Sequence, residues 1–263
     1  MSVPVGTIDG VVDFPPMVPG EPIVVSATTY TTYLRCPEQA RSRLTGIYPE
    51  ESQASFKGIL AHRVFARHLA EGEIPEQGLV QVCREEIGKS LNPKLVSLGL
   101  KPSRLRGVVN EVGDLYARFK RFPTEGFTAA EHTLEARPAE GVTLRGVVDA
   151  VFGAADDVRI VDWKTGGLVV AEPQLDFYGL LWALVHGTPP AEVEAASVAT
   201  GERYTARPSS GDLAVTAGRV AGLVNDMRTA FAAGGELDRV GGPWCRHCPL
   251  LDDCSEGRAA TRH

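Results

Sequence analysis

The sequence predicts one mixed α/β domain carrying a helical insertion. Apolar residues recur with a helical period as far as Phe122 and change to strand-like alternation after Pro123. The elements then follow the order helices, strands, a helix, more strands and a last helix, with no internal repeat or low-complexity segment. A length of 263 residues suits one large domain or two small ones, and 43% hydrophobic with 23% charged residues is ordinary for a soluble globular protein.

Residues 1–25 contain Pro15, Pro16, Pro19 and Pro22, show no helical period, and read as an irregular arm. Ser26 or Thr28 caps a short helix through Tyr30, Tyr33 and Leu34 that ends at Cys36-Pro37. A second helix runs from about Ser55 to Glu71, with Ile59, Leu60, Val64, Phe65 and Leu69 as its stripe. Two further helical patterns, about Gln77–Leu91 and Ser103–Phe122, make up the insertion over about residues 73–122. Thr128–Arg137, Val142–Phe152 and Val158–Trp163 read as three antiparallel strands with turns at Pro138–Gly141 and Gly153–Asp157. Pro173 suits the first turn of a helix from Glu172 to about His186. Val193–Val198 and Arg203–Arg207 look like a hairpin around Thr200-Gly201, and a final helix spans about Leu213–Ala233.

The net charge of −6 carries no global signature of nucleic-acid binding. Any DNA contact must rest on a local basic patch, or on metal ions that offset clustered carboxylates. No apolar run is long enough to cross a bilayer, and the start lacks the basic and apolar regions of a secretory signal. A cytoplasmic location with no membrane partner is the expectation. In that setting five cysteines argue for metal ligation or free thiols over a disulfide framework.

The most informative stretch is Val161-Asp162-Trp163-Lys164-Thr165-Gly166. On an extended strand Asp162 and Lys164 stand side by side, with Trp163 turned to the other face. A metal-holding carboxylate beside a cation suits phosphodiester hydrolysis, whereas an isolated DxK is usually a surface ion pair. Asp149 lies on the preceding strand and meets Asp162 if the two strands pair as a hairpin. Two carboxylates with no obligatory cation favour Mg²⁺ or Mn²⁺. Gln174 and Tyr178, four apart, share a helix face just beyond Lys164. His62 lies in the second helix; a lone helical histidine is more often structural, and His68 and His186 take that bland reading.

Gly58-x-x-x-His62, Gly146-x-x-Asp149, Asp162-x-Lys164-Thr165-Gly166 and Gln174-x-x-x-Tyr178 together resemble the motif series of RecB-type nucleases of the PD-(D/E)xK superfamily, over about residues 26–255. The resemblance implies a restriction-endonuclease-like core, a mixed central sheet flanked by helices. It also implies that His62, Asp149 and Asp162 bind metal, that Lys164 is catalytic, and that Gln174 and Tyr178 support the site or touch DNA. Glu131 occupies a position where the family often has glutamate. Val148 stands where the superfamily name has Pro, and Asp162 where Glu is also common; neither removes a needed group.

Cys245, Cys248 and Cys254 form CxxCx₅C near the C-terminus, and Cys36 lies far upstream. Four thiolates suit either a 4Fe–4S cluster or a structural Zn²⁺, and spacing alone does not decide. One lone cysteine plus three together is the arrangement of the iron–sulfur subset of these nucleases, found in AddB-type subunits and CRISPR-associated adaptation nucleases, and the resemblance therefore implies the cluster. Such a clasp joins the N-terminal helices to residues 245–254, leaving 256–263 as a tail. Trp244, Pro37 and Pro249 are candidates to shield its sulfurs, His247 is a weak rival ligand, and Cys83 reads as a core residue. Arg35, Arg41, Arg43, Lys101, Arg104 and Arg106 are candidate phosphate contacts.

The expectation is a metal-dependent DNA nuclease, an exonuclease acting on single strands or frayed ends in DNA repair or processing. One alternative is a CRISPR adaptation nuclease that trims spacers. Another, from a different class, is a weakly catalytic DNA-binding scaffold of a helicase–nuclease complex. The chain contains no GxxxxGK[ST] motor motif, so a helicase would have to be a partner.

Overall fold

A computed structural model describes residues 12–262, so residues 1–11 of the expected N-terminal arm lie outside the described residues. In chain order the elements are β1 (Ile23–Ser26), α1 (Ala27–Arg35), α2 (Pro37–Leu44), α3 (Gln53–Glu71), α4 (Leu79–Glu86), α5 (Asn92–Ser97), α6 (Pro102–Phe119), β2 (Phe127–Ala139), β3 (Val142–Phe152), β4 (Arg159–Lys164), α7 (Glu172–His186), β5 (Glu192–Ser197), β6 (Arg203–Ala206), α8 (Ser210–Ala233) and α9 (Ser255–Ala260).

The β2–β3–β4 meander is antiparallel, as the alternation predicts. Helix α7 then carries the chain back so that β5 lies parallel to β4, and β6 returns antiparallel to β5. The sheet is therefore mixed, with helices on both faces. It fits the restriction-endonuclease-like architecture. Four features differ from expectation. The end of the arm is strand β1, paired in parallel with Val142–Arg145 of β3; four residues are too few to show a period in sequence. Cys36-Pro37 ends α1 and also starts α2, because Pro fits the first helical turn while holding the residue before it extended. Helix α9 occupies the start of the expected tail. Within the insertion, a π-turn over Ile87–Leu91 joins α4 to α5 just ahead of Pro93, where one continuous helix was expected.

Two cores sandwich the sheet. Tyr30, Leu144, Ile160, Phe177, Leu181 and Val224 belong to the first, between the sheet and α1, α7 and α8. Phe56, Phe65, Val112, Phe119, Val161 and Trp163 belong to the second, between the sheet and the insertion packed on α3. Cys83 is fully buried in that second core, and burial raises its thiol to about 11, so it stays a protonated apolar residue as expected. A buried Glu194 on β5 ties β4 to β6 through Arg159 and Arg203. Its burial favours the neutral form, but the two guanidinium groups outweigh that and hold its pKa low. Among the described residues no helix is long and apolar enough to cross a membrane.

Candidate active site

Strand alternation delivers the centre. Ile160 faces the first core, Val161 and Trp163 face the second, and Asp162 and Lys164 share the side of Ile160. Trp163 packs edge-on against Phe119 and Phe122, with ring centroids 5.2 and 5.3 Å away. That contact locks the strand's rotation and so aims its two functional neighbours. The β3–β4 register, with Ala150 opposite Val161, brings Asp149 alongside Asp162. On β3, Leu144 and Val148 face the first core but Ala150 and Phe152 the second, so strict alternation breaks at Asp149. Opposite it on β2, Glu131 has a φ of +46°. An irregularity of this kind re-aims a side chain.

Asp149 is gripped at both oxygens. Its Oδ2 accepts from the Trp163 backbone N–H at 2.7 Å, and its Oδ1 lies 3.0 Å from His62 Nδ1. Asp162 is almost wholly buried, with its Oδ1 accepting from Gln174 Nε2 at 2.8 Å. Lys164 Nζ donates to Gln174 Oε1 at 2.7 Å and also lies 2.7 Å from Asp162 Oδ2. That second approach falls outside hydrogen-bond angles, so Oδ2 is buried against a cation without a hydrogen bond. Gln174 Nε2 also donates to Tyr178 Oη, which donates to the Val147 carbonyl, both at 3.0 Å. Gly146 makes room for this crossing: a Cβ there would come within 3.0 Å of the Tyr178 ring.

These groups perturb one another. Burial first, and the neighbouring Asp149 second, push the Asp162 carboxyl up to about 6. Burial works against charging His62, but Asp149 and Asp162 outweigh it and raise its pKa. Burial also raises Tyr178, which stays a neutral hydroxyl.

The donor set suits a hard divalent ion. Asp162 Oδ2 is a buried oxygen in contact with the Lys164 ammonium and next to a second carboxylate, and Mg²⁺ accepts one or two carboxylates while keeping waters. Among the described residues, no three His, Cys, Asp or Glu side chains are gathered around one point as an all-protein ion cage. Water or substrate oxygens would have to complete the shell. His62 spends Nδ1 on Asp149, and Glu131 pairs with Arg63 at 2.7 Å. His68 bonds Tyr116 Oη and His186 stacks on Trp182, both structural as expected.

The four clasp cysteines line one cavity with Trp244, Leu250 and Leu251. Cys36 joins α1 to α2, and Cys254 precedes α9. Three sulfurs accept backbone N–H groups: Cys36 from Val240 (3.4 Å), Cys245 from Gly242 (3.3 Å) and Cys254 from Gly257 (3.2 Å). Burial, then the three other thiols, raise the pKa of Cys248. Trp244 lines the cavity as expected, but Leu250 and Leu251 replace Pro37 and Pro249 in it. His247 is exposed and lines a separate cavity with Tyr48 and Arg246.

Sequence reasoning missed Glu38. It is buried on α2, holds Arg41 through two hydrogen bonds of 2.8 and 2.7 Å, and accepts from Leu237 N at 2.9 Å. Burial opposes its charge, but Arg41 and the Leu237 N–H outweigh this and hold its pKa low. Arg41 is therefore a structural partner and not a free phosphate contact. Arg43 lies 5.4 Å over the Tyr48 ring, while Arg35, Lys101, Arg104 and Arg106 are exposed. A Glu three residues before an Arg on a short polar helix was the available signal for the Glu38 pair.

Residues 24–255 match the PD-(D/E)XK nuclease superfamily, and the chain belongs to it. No curated protein matches the chain. Among solved structures it is similar to the crystal structure of SSO0001, at 14% identity over 88% of this chain and 85% of that one, with a TM-score of 0.40. It is also similar to the crystal structure of protein VC1899 from Vibrio cholerae, at 15% identity over 76% of this chain and 62% of that one, with a TM-score of 0.25.

Proposed function

We propose that the chain is a Mg²⁺- or Mn²⁺-dependent DNA exonuclease acting on single strands or free ends, in DNA repair or processing. The observation that carries this reading is the buried Asp162 carboxylate, held beside Asp149 with its Oδ2 in contact only with the Lys164 ammonium, at 2.7 Å. Asp149 and Asp162 hold the ion. When bound, such an ion polarises a phosphoryl oxygen and lowers the pKa of an attacking water. His62 and the Trp163 N–H fix the Asp149 carboxylate so that it needs no reorganisation. This is the role the geometry supports for His62.

Lys164 is only partly covered, at 31% side-chain exposure, so part of it stays open to an entering phosphodiester. There it orients the water and stabilises the charge that develops on phosphorus-bound oxygens. Gln174 is a positioning residue: one amide group sets both Lys164 and Asp162. Tyr178 in turn sets Gln174.

For the clasp we propose a 4Fe–4S cluster, with structural Zn²⁺ as the rival. A shared cavity and three N–H donors to sulfur suit thiolate ligands of either. A cluster spreads its cysteines around several irons, so it does not need the close gathering that one ion requires. Absorbance at about 400 nm in anaerobically purified protein supports the cluster, and a colourless protein with stoichiometric zinc rejects it. A helicase or a CRISPR adaptation complex is the proposed source of any partner motor or context.

Degradation of labelled single-stranded DNA with Mn²⁺, compared between the wild type and Lys164→Ala, tests the mechanism. Equal rates for the two proteins reject it.

A further inference from the structure

The loop from Thr165 to Ala171 joins β4 to α7, and the site holds it at both ends. Lys164, just before it, bonds Gln174, just after it, at 2.7 Å. Gly166 O accepts from Ser197 Oγ at 2.6 Å, Leu168 packs on the first core, and Ala171 is buried. Between these anchors Val169 and Val170 stand 77% and 67% exposed. Adjacent exposed large apolar residues occur at one other place among the described residues, Ile47-Tyr48.

Val170 also has a φ of +44°. A β-branched side chain strongly disfavours that left-handed conformation, which glycine adopts freely. Gly167 and Gly166 are three and four residues away, yet the strained turn falls on valine. The fold gains little packing from these two side chains, and a glycine at 170 would relieve the strain. Strain kept where local packing does not require it points to use of the side chains that keep it.

The groups around Lys164 are charged or polar and suit a phosphodiester backbone. The tip of the loop that Lys164 and Gln174 bracket is apolar and suits the flat face of a base. We propose that Val169 and Val170 form an apolar platform that packs against the base beside the scissile phosphate and so selects an unpaired strand. The proposal rests on the nuclease reading. It deepens that reading by naming the residues that choose single-stranded over paired ends.

The test uses the full chain in a Lys164→Ala background, which removes cutting, and measures binding of a single-stranded oligonucleotide with 2-aminopurine near its end. Val169→Ser/Val170→Ser is expected to weaken binding about tenfold, from lost apolar burial. An abasic site in place of the base is expected to cost the valine protein the same factor and the serine variant nothing. In the cutting-competent protein, the serine pair is expected to lower the preference for single-stranded over blunt duplex ends. Equal binding by both proteins to intact and abasic strands, with single-strand cleavage intact, overturns the platform alone. Failure of the wild type to bind or cut any DNA rejects the nuclease reading itself. Loss of self-association in the serine variant, seen by sedimentation with DNA binding unchanged, assigns the patch to a second copy of the chain and overturns the platform.

Discussion

At the carboxylate centre, each side chain of the proposed site stands on a strand or a long helix: Asp149 on β3, Asp162 and Lys164 on β4, His62 on α3, and Gln174 and Tyr178 on α7. At the cysteine clasp, Cys36 lies between two helices, Cys245 in a short 3₁₀ turn, and Cys248 and Cys254 in connecting chain. The first region is placed by ladder register and helix periodicity, and side-chain and backbone hydrogen bonds then reach every carboxylate oxygen but Asp162 Oδ2, which lies against the Lys164 ammonium. In the second region no ladder fixes the sulfurs. They are brought together by Glu38 and by the N–H···S bond from Val240 to Cys36. A site built on register keeps its shape without its ion, because the fold holds it. A site built on connecting chain depends on its occupant to close the loop.

This contrast is most sharply tested by separating activity from stability. Lys164→Ala should lower the rate of single-strand cleavage by on the order of 10²–10³-fold, with a shift in thermal midpoint far smaller than that of losing a clasp cysteine. A large fall in stability would mean that Lys164 also holds the fold together.

Removing the occupants should show the opposite pattern. Chelating Mg²⁺ or Mn²⁺ should abolish cleavage with little change in unfolding. Cys248→Ala should lose the clasp metal and lower stability by several kcal/mol, on the scale of other lost structural metal sites and cross-links. Paired metal analysis and calorimetry check both arms, and equal stability of Cys248→Ala and wild type would make the clasp incidental.

Glu38→Ala should cost about 2–3 kcal/mol, because it strands Arg41 and leaves the Leu237 N–H unpaired. Its effect should appear in the urea midpoint and not in cleavage per folded molecule. A changed rate per folded molecule would show that the two regions are coupled.

The smallest effect should come from Asp162→Asn in metal-free protein. Burial and Asp149 raise the Asp162 carboxyl to about 6. A carboxyl with a raised native pKa favours folding below its unfolded value of about 3.9, and that contribution is lost as pH rises through about 6. Wild type should therefore lose stability relative to the Asn variant between about pH 4 and pH 6, with a constant gap of a few degrees above that. Thermal midpoints in chelator at several pH values check the sign. A gap that closes as pH rises would show that Lys164 already compensates the charge.

Much of this was legible because it is periodic. Alternation along Val161–Lys164 put Asp162 and Lys164 on one face and Trp163 on the other. The i, i+4 spacing of Gln174 and Tyr178 put both at the site, where one amide bridges Lys164, Asp162 and Tyr178. Short elements were not legible. Strand β1 has too few residues to show a period, and α2 begins at the proline that reads as a stop. The pairing of Glu131 with Arg63 was equally hidden, since it depends on α3 lying against β2 and on the local backbone at φ +46°.

By itself the sequence determined which residue types are present, which faces of which long elements they occupy, and so that two acids, an amine and a bridging amide converge on one strand pair and one helix. Backbone geometry translates spacing into direction within an element, and no tertiary information is needed for that step. The tertiary structure alone decided what those faces meet: that His62 orients Asp149, that Arg41 belongs to Glu38, that Asp162 Oδ2 is buried against the Lys164 ammonium, and that Cys36 shares a cavity with cysteines some two hundred residues away. Local periodicity fixes the direction in which a side chain leaves its element, whereas its partner depends on how distant elements pack.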